Sequence, residues 1–160
     1  MIPSSPSTFA LCASAALVLV GLASACASAP PAKPKPNEPT NTIATSGPKL
    51  GAQQIEPTKC ISGGRYLFLG VDLIDERSGL IVRLVYDPLR DEFVRIFDPK
   101  LNETRTLILS RANCKTFKAD LTFGDSMVNG IREMKASIDL DCETPGGNFV
   151  VGNVASESCL

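Results

Sequence analysis

The chain has 160 residues, 16 Lys plus Arg against 17 Asp plus Glu, a formal charge of −1, and neither His nor Trp. Without His the commonest proton shuttle and metal ligand is missing, and Ser–His–Asp or Cys–His catalysis within one chain is excluded. Acidic and basic residues are interspersed, so no basic face for nucleic acid is present.

The first element is apolar. Phe9 to Leu22 (FALCASAALVLVGL) carries no charge and is followed by Ala23-Ser24-Ala25 and then Cys26. An apolar region of this length ending in a small-residue box is the pattern of a cleaved secretory signal. A membrane span needs roughly 20 apolar residues, so this segment is short for one. Met1 to Thr8 contains no Lys or Arg, a departure from the usual basic start.

Leu22-Ala23-Ser24-Ala25-Cys26 resembles the signal of bacterial lipoproteins, in which a small-residue box stands directly before a Cys that becomes the lipidated first residue. Ala23 stands where an aliphatic residue is usual, with Leu22 one place earlier. The resemblance covers about the first 26 residues. It implies a signal peptide over 1–25, lipidation (palmitate included) at Cys26, and, with Ala27 rather than Asp next, an address at the outer membrane on its periplasmic or surface face. Ordinary cleavage after Ala25 or Ala29 is the plainer alternative.

Residues 26–58 read as a linker. Pro30 to Gly51 (PPAKPKPNEPTNTIATSGPKLG) holds six prolines among Lys, Asn, Thr and Ser, a composition that builds no core. At about 3 Å per residue it would hold a domain several tens of Å from its anchor.

Residues 59–160 read as one β domain. Arg65–Leu73 is apolar on both faces, as a central strand is, and Glu76-Arg77-Ser78-Gly79 supplies a turn. Leu80–Tyr86 and Phe93–Phe97 follow, each stopped by Asp-Pro, because Pro lacks the ladder donor. Thr104–Leu109 and Lys115–Phe123 come next, and Asp125-Ser126-Met127 is read as a hairpin turn. From Glu133 to Glu143 alternation is strict: Met134, Ala136, Ile138, Leu140 and Cys142 fall on one face, charged and polar residues on the other. One face buried and one wet is the signature of an antiparallel sheet. Pro145-Gly146-Gly147 turns the chain and Asn148–Ala155 returns. About seven short strands predict an all-β fold, an antiparallel β-sandwich or small barrel.

Cys12 lies inside the signal. Cys60, Cys114, Cys142 and Cys159 form an even set in an exported domain and read as two disulfides. Their long spacings are unlike a zinc site. If Lys115–Phe123 and Glu133–Glu143 form a hairpin, Cys114 comes to face Cys142, which leaves Cys60 for Cys159.

Four groups of residues are candidate sites. Asp139, Asp141 and Glu143 project from one strand face about 7 Å apart, a weak candidate for a Ca²⁺ site; a solvated face carrying Lys135 is the plainer reading. Asp72, Asp75 and Glu76 form a second acidic group beside Arg77, explained by turn chemistry. Asn102-Glu103-Thr104 matches the glycosylation acceptor pattern, which in a bacterial cell is a loop. Ser62-Gly63-Gly64-Arg65-Tyr66 resembles the Ser-Gly-containing loop of the C-type lysozyme inhibitors, envelope lipoproteins of similar size and disulfide use.

The expectation is a non-enzymatic binding or assembly module without cofactor or resident metal. It is held to the membrane through a lipid and meets an envelope protein or glycan partner, not nucleic acid. The alternative is an envelope inhibitor of a cell-wall hydrolase. Mass spectrometry of the mature chain is expected to find a diacylglyceryl-modified Cys26 at the N-terminus; an unmodified Cys26, or a start at Pro30, would remove the anchor and leave export intact.

Overall fold

A computed structural model describes residues 40–89, 91–101 and 105–160. The signal segment, Cys12, Cys26, residues 27–39 and Asn102-Glu103-Thr104 lie outside the described residues. Ten strands form: β1 Thr42–Ser46, β2 Gln53–Ile55, β3 Lys59–Ser62, β4 Gly70–Ile74, β5 Ile81–Asp87, β6 Asp91–Phe97, β7 Leu107–Leu109, β8 Cys114–Val128, β9 Ile131–Glu143 and β10 Phe149–Cys159. They make two five-stranded sheets, ordered β2-β1-β10-β9-β8 and β3-β4-β5-β6-β7, with every neighbouring pair antiparallel. The architecture is the sandwich rather than the closed barrel.

The second sheet is an unbroken meander. The first is assembled from the two ends of the domain, with β1 lying on β10 from Thr42 opposite Asn153 to Ser46 opposite Phe149. Between the sheets lies one core. Val71, Leu73, Val82, Leu84, Val94, Ile96, Leu107 and Leu109 face Phe117, Ala119, Met134, Ala136, Ile138, Leu140, Val150 and Val154, all buried. On β9 the buried set is the one the alternation picks out, because a period of two leaves no other way to hide these five side chains.

Three expectations are corrected. The stretch read as linker supplies β1 and β2, whose Ile43 and Ile55 are fully buried opposite one another. Two short strands with one core residue apiece give no hydrophobic run for composition to register. Arg65–Leu69 is not strand: Gly63–Tyr66 forms a 3-10 turn and pairing begins at Gly70. Any Cβ on Gly70 would strike the Leu84 carbonyl, and its φ of 155° suits only glycine, so β4 starts where the chain can lie flat on β5. The β8–β9 hairpin does not turn at Asp125-Ser126-Met127. Both strands continue to the pair Val128–Ile131, and Asn129-Gly130 makes the two-residue loop with φ of 52° and 77°. Positive φ at both positions is what a type I′ turn demands, and Asn-Gly meets it most readily.

Two disulfides close the fold. Cys114–Cys142 joins directly opposed residues of β8 and β9. Cys60–Cys159 joins β3 to β10 and so ties one sheet to the other. Their sequence separations are 28 and 99. In the chain-entropy account those loops correspond to about 3.6 and about 4.7 kcal/mol of stabilisation. Urea unfolding under oxidising conditions is therefore expected to show a larger loss for C60A/C159A than for C114A/C142A. The reverse order would mean that local strand pairing, not loop closure, sets the effect.

Candidate functional site

Two of the acidic residues singled out above, Asp72 and Asp75, serve the fold. Asp72 on β4 is buried and takes a two-pronged contact from Arg83 on β5, with Nε at 2.7 Å and Nη2 at 2.8 Å. The Arg83 guanidinium lies between the Phe68 and Phe97 rings, 4.4 and 5.3 Å from their centroids. The hydrogen bonds from Arg83 to Asp72 hold its pKa above the ordinary arginine value. A guanidinium so paired and stacked is a structural clamp on the outer face of the second sheet.

Asp75 begins the β4–β5 turn and is almost wholly buried. Its carboxylate accepts the Arg77 and Ser78 amides on Oδ1 at 2.9 and 3.3 Å, and the Ser78 hydroxyl and Glu56 amide on Oδ2 at 2.9 and 3.3 Å. Burial pushes its pKa up, but the bonds from Ser78, Glu56 and Arg77 more than offset this and hold it below the ordinary aspartate value. The group organises the turn and fastens the chain just after β2 to it.

Asp139, Asp141 and Glu143 do share the outer face of β9. Asp139 pairs with Lys118 at 3.4 Å, and Asp141 and Glu143 are exposed. Lys135 of the same face is bound to Glu157 at 3.2 Å. Among the described residues no three His, Cys, Asp or Glu side chains gather as metal ligands.

The feature that composition hides is one end of the sandwich. There the β3–β4 connection, the β5–β6 hairpin and the tip of β8–β9 meet. The Tyr86 amide donates to the Leu69 carbonyl at 2.9 Å, and Gly64 lies against Ile131. The β3–β4 connection exposes Tyr66, Leu67 and Leu69; the β5–β6 hairpin, Tyr86 and Leu89; the end of β8, Phe123, Met127 and Val128. Eight of the twelve large apolar side chains exposed among the described residues are thus at this end. Leu67 is 97% and Leu89 91% exposed. Such grouping is informative in a way that scattered exposure is not.

Leu67 is held out by its backbone. It caps the 3-10 turn in the left-handed region (φ 60°, ψ 33°), its amide returning to the Gly63 carbonyl, while the Ser62 side chain accepts the Gly64 amide. A leucine rarely occupies that region. The Ser62–Tyr66 segment therefore sits at this same end with Arg65 and Tyr66 both exposed.

Behind the rim a cleft of about 280 Å³ enters between the sheets, walled by Leu69, Tyr86, Leu121 and Phe123 with Glu92 and Asp120 at its margin. Glu92 is bound by Arg111 at 3.1 Å. Arg132 lies over the Phe123 ring at 5.0 Å and donates to the Gly124 carbonyl at 3.3 Å. Hydroxyls of Ser158 and Ser126 donate to Glu133 and hold its pKa below the usual carboxylate value. The arrangement offers an apolar contact surface with a few fixed charges.

The Asp75 turn gives a pH test. A carboxylate whose pKa is depressed on folding stabilises the fold above its unfolded value, about 3.9, and that stability is lost as pH falls through the folded value. Asp75→Ala is expected to cost about 2–4 kcal/mol at neutral pH, because four donors lose a buried acceptor. Its penalty should shrink below pH 4. A penalty unchanged across that window, in urea midpoints measured against pH, would show that the charge on Asp75 is not what the turn uses.

The chain matches no protein family, no curated protein and no solved structure.

Proposed function

We propose that the chain is a lipid-anchored, non-enzymatic binding module of the bacterial cell envelope, and that the apolar end of the sandwich is its contact surface for an envelope protein. The observation that carries the reading is the concentration of exposed Tyr, Leu, Phe, Met and Val side chains at that end. Aromatic and Met anchors around a cleft, with arginine beside them, have the composition of the centre of a protein interface. The apolar segment before Cys26, the Pro-rich stretch and the disulfides agree with an exported, tethered life. The missing His removes the commonest routes to hydrolysis.

A second reading is favoured by one observation. Arg65 and Tyr66, in the segment that resembles the C-type lysozyme inhibitors, project from the same end. A protruding turn of this kind is the shape that enters an enzyme cleft.

Three variants of the full chain separate the readings. Leu67→Glu and Leu89→Glu both alter exposed residues and are expected to leave the melting temperature within about 2 °C. They should lower recovery of a cross-linked envelope partner at least about tenfold if each removes a buried anchor. Undiminished recovery would place the contact surface elsewhere. Inhibition of lysozyme by the wild type, abolished by Arg65→Ala with Tyr66→Ala, would replace the first reading by the second.

A further inference from the structure

β8 is an edge strand with one side open. It is bonded to β9 alone, and among the described residues no strand lies beyond it. Alternate residues of a strand aim their backbone groups to opposite sides. The Phe117 carbonyl accepts Arg111 Nη1 at 3.4 Å, and the same guanidinium reaches Glu92 on the other sheet. The Thr116 carbonyl instead lies 3.9 Å from the Cys142 sulfur on β9. Phe117, Ala119 and Leu121 therefore present N–H and C=O to the open side. Ala119, Asp120 and Leu121 of this edge strand also line the cleft between the sheets.

An edge this long is a template for another strand unless charge blunts it. Here Lys118 is followed two residues later by Asp120, which is exposed and has no ion-pair partner among the described residues. That spacing makes the edge complementary to itself.

We infer that β8 pairs antiparallel with β8 of a second copy of this chain about a two-fold axis through Ala119. Lys118 then stands opposite the partner's Asp120, and Asp120 opposite the partner's Lys118. On the other face Phe117 meets the partner's Leu121, which brings apolar side chains together beside the cleft-lining residues Ala119 and Leu121. Lys118 and Asp120 take non-hydrogen-bonded positions, where opposed Cα atoms are only about 4.5 Å apart. The two adjacent registers set Lys118 against Lys118 or Asp120 against Asp120, so charge selects the central one. The Phe117 carbonyl has a second lone pair and keeps Arg111 while accepting the new strand. Lys118 likewise stays near Asp139 of its own chain. The product is an isologous dimer with a ten-stranded sheet running through it.

Sedimentation equilibrium of the full chain in density-matched detergent tests this. The wild type is expected to be dimeric at about 100 µM. Asp120→Lys and Lys118→Asp should each weaken self-association at least about tenfold, since each sets like charges opposite one another. An equimolar mixture of the two variants should associate again, because every opposed pair in the mixed dimer is attractive. Melting temperatures of both variants show whether they are folded. A monomeric wild type at that concentration overturns the inference. So does a dimer indifferent to both substitutions, or a mixture that stays monomeric while both variants are folded.

Discussion

The pairing of β1 with β10 is the constraint on which the rest of the molecule depends. Sheet one has no other way to hold β1 and β2, and without them Ile43 and Ile55 leave the core open at its side. The pairing is reinforced beyond the ladder: the Thr40 amide donates to Asn153 and the Ala155 amide to Asn41. The second sheet, a simple meander, needs a lid of matching size. Only when the two ends of the domain meet does the first sheet reach five strands and provide it. Cys60–Cys159 then joins the sheets across the core, so that the closure made by backbone hydrogen bonds is locked by a covalent one.

In the sandwich so closed, loops and strand ends together meet solvent at one end. The clamp of Arg83 on Asp72 lies under Phe68, and Phe68 in turn packs against Gly63 and Gly70. The β3–β4 connection is thereby pinned at its base and free at its crest, which is where Tyr66 and Leu67 stand. A rigid base is what allows apolar side chains to be offered to a partner without collapsing onto the protein's own core. In the proposed function, the anchor at Cys26 fixes where the module is, and this crest determines what it meets.

Much of the architecture was legible from alternation alone. β9 could be read residue by residue, and the facing of β8 against it led to both cysteine pairings. What failed did so for physical reasons. β1 and β2 are short and largely polar, so their membership in the core is decided by what they pair with, not by their own composition. Arg-Tyr-Leu-Phe-Leu looked like buried strand because an apolar run carries no mark of exposure; the preceding Ser62-Gly63-Gly64, able to bend the chain sharply, was the signal available. The same blindness hid the candidate surface. Leu67 and Leu89 are exposed because of the turns that carry them, and no count of apolar residues distinguishes them from Leu73 or Leu84 in the core. Asp75 could be placed in a turn but not recognised as its organiser, since the Glu56 amide reaches it from a segment 19 residues away.

The Asn129-Gly130 loop has a bearing on the order of assembly. A two-residue turn brings β8 and β9 together with almost no loop to close, so this hairpin can form within microseconds and early in folding. β1 must find residues more than a hundred positions away, as the 113-residue separation of Thr40 and Asn153 shows. Contacts of that range are slow to form. Until β1 pairs, the β1-facing side of β10 is an open edge of the kind that templates a foreign strand. During that interval it is the competition between its own distant strand and any foreign one that decides between a native sheet and an aggregate.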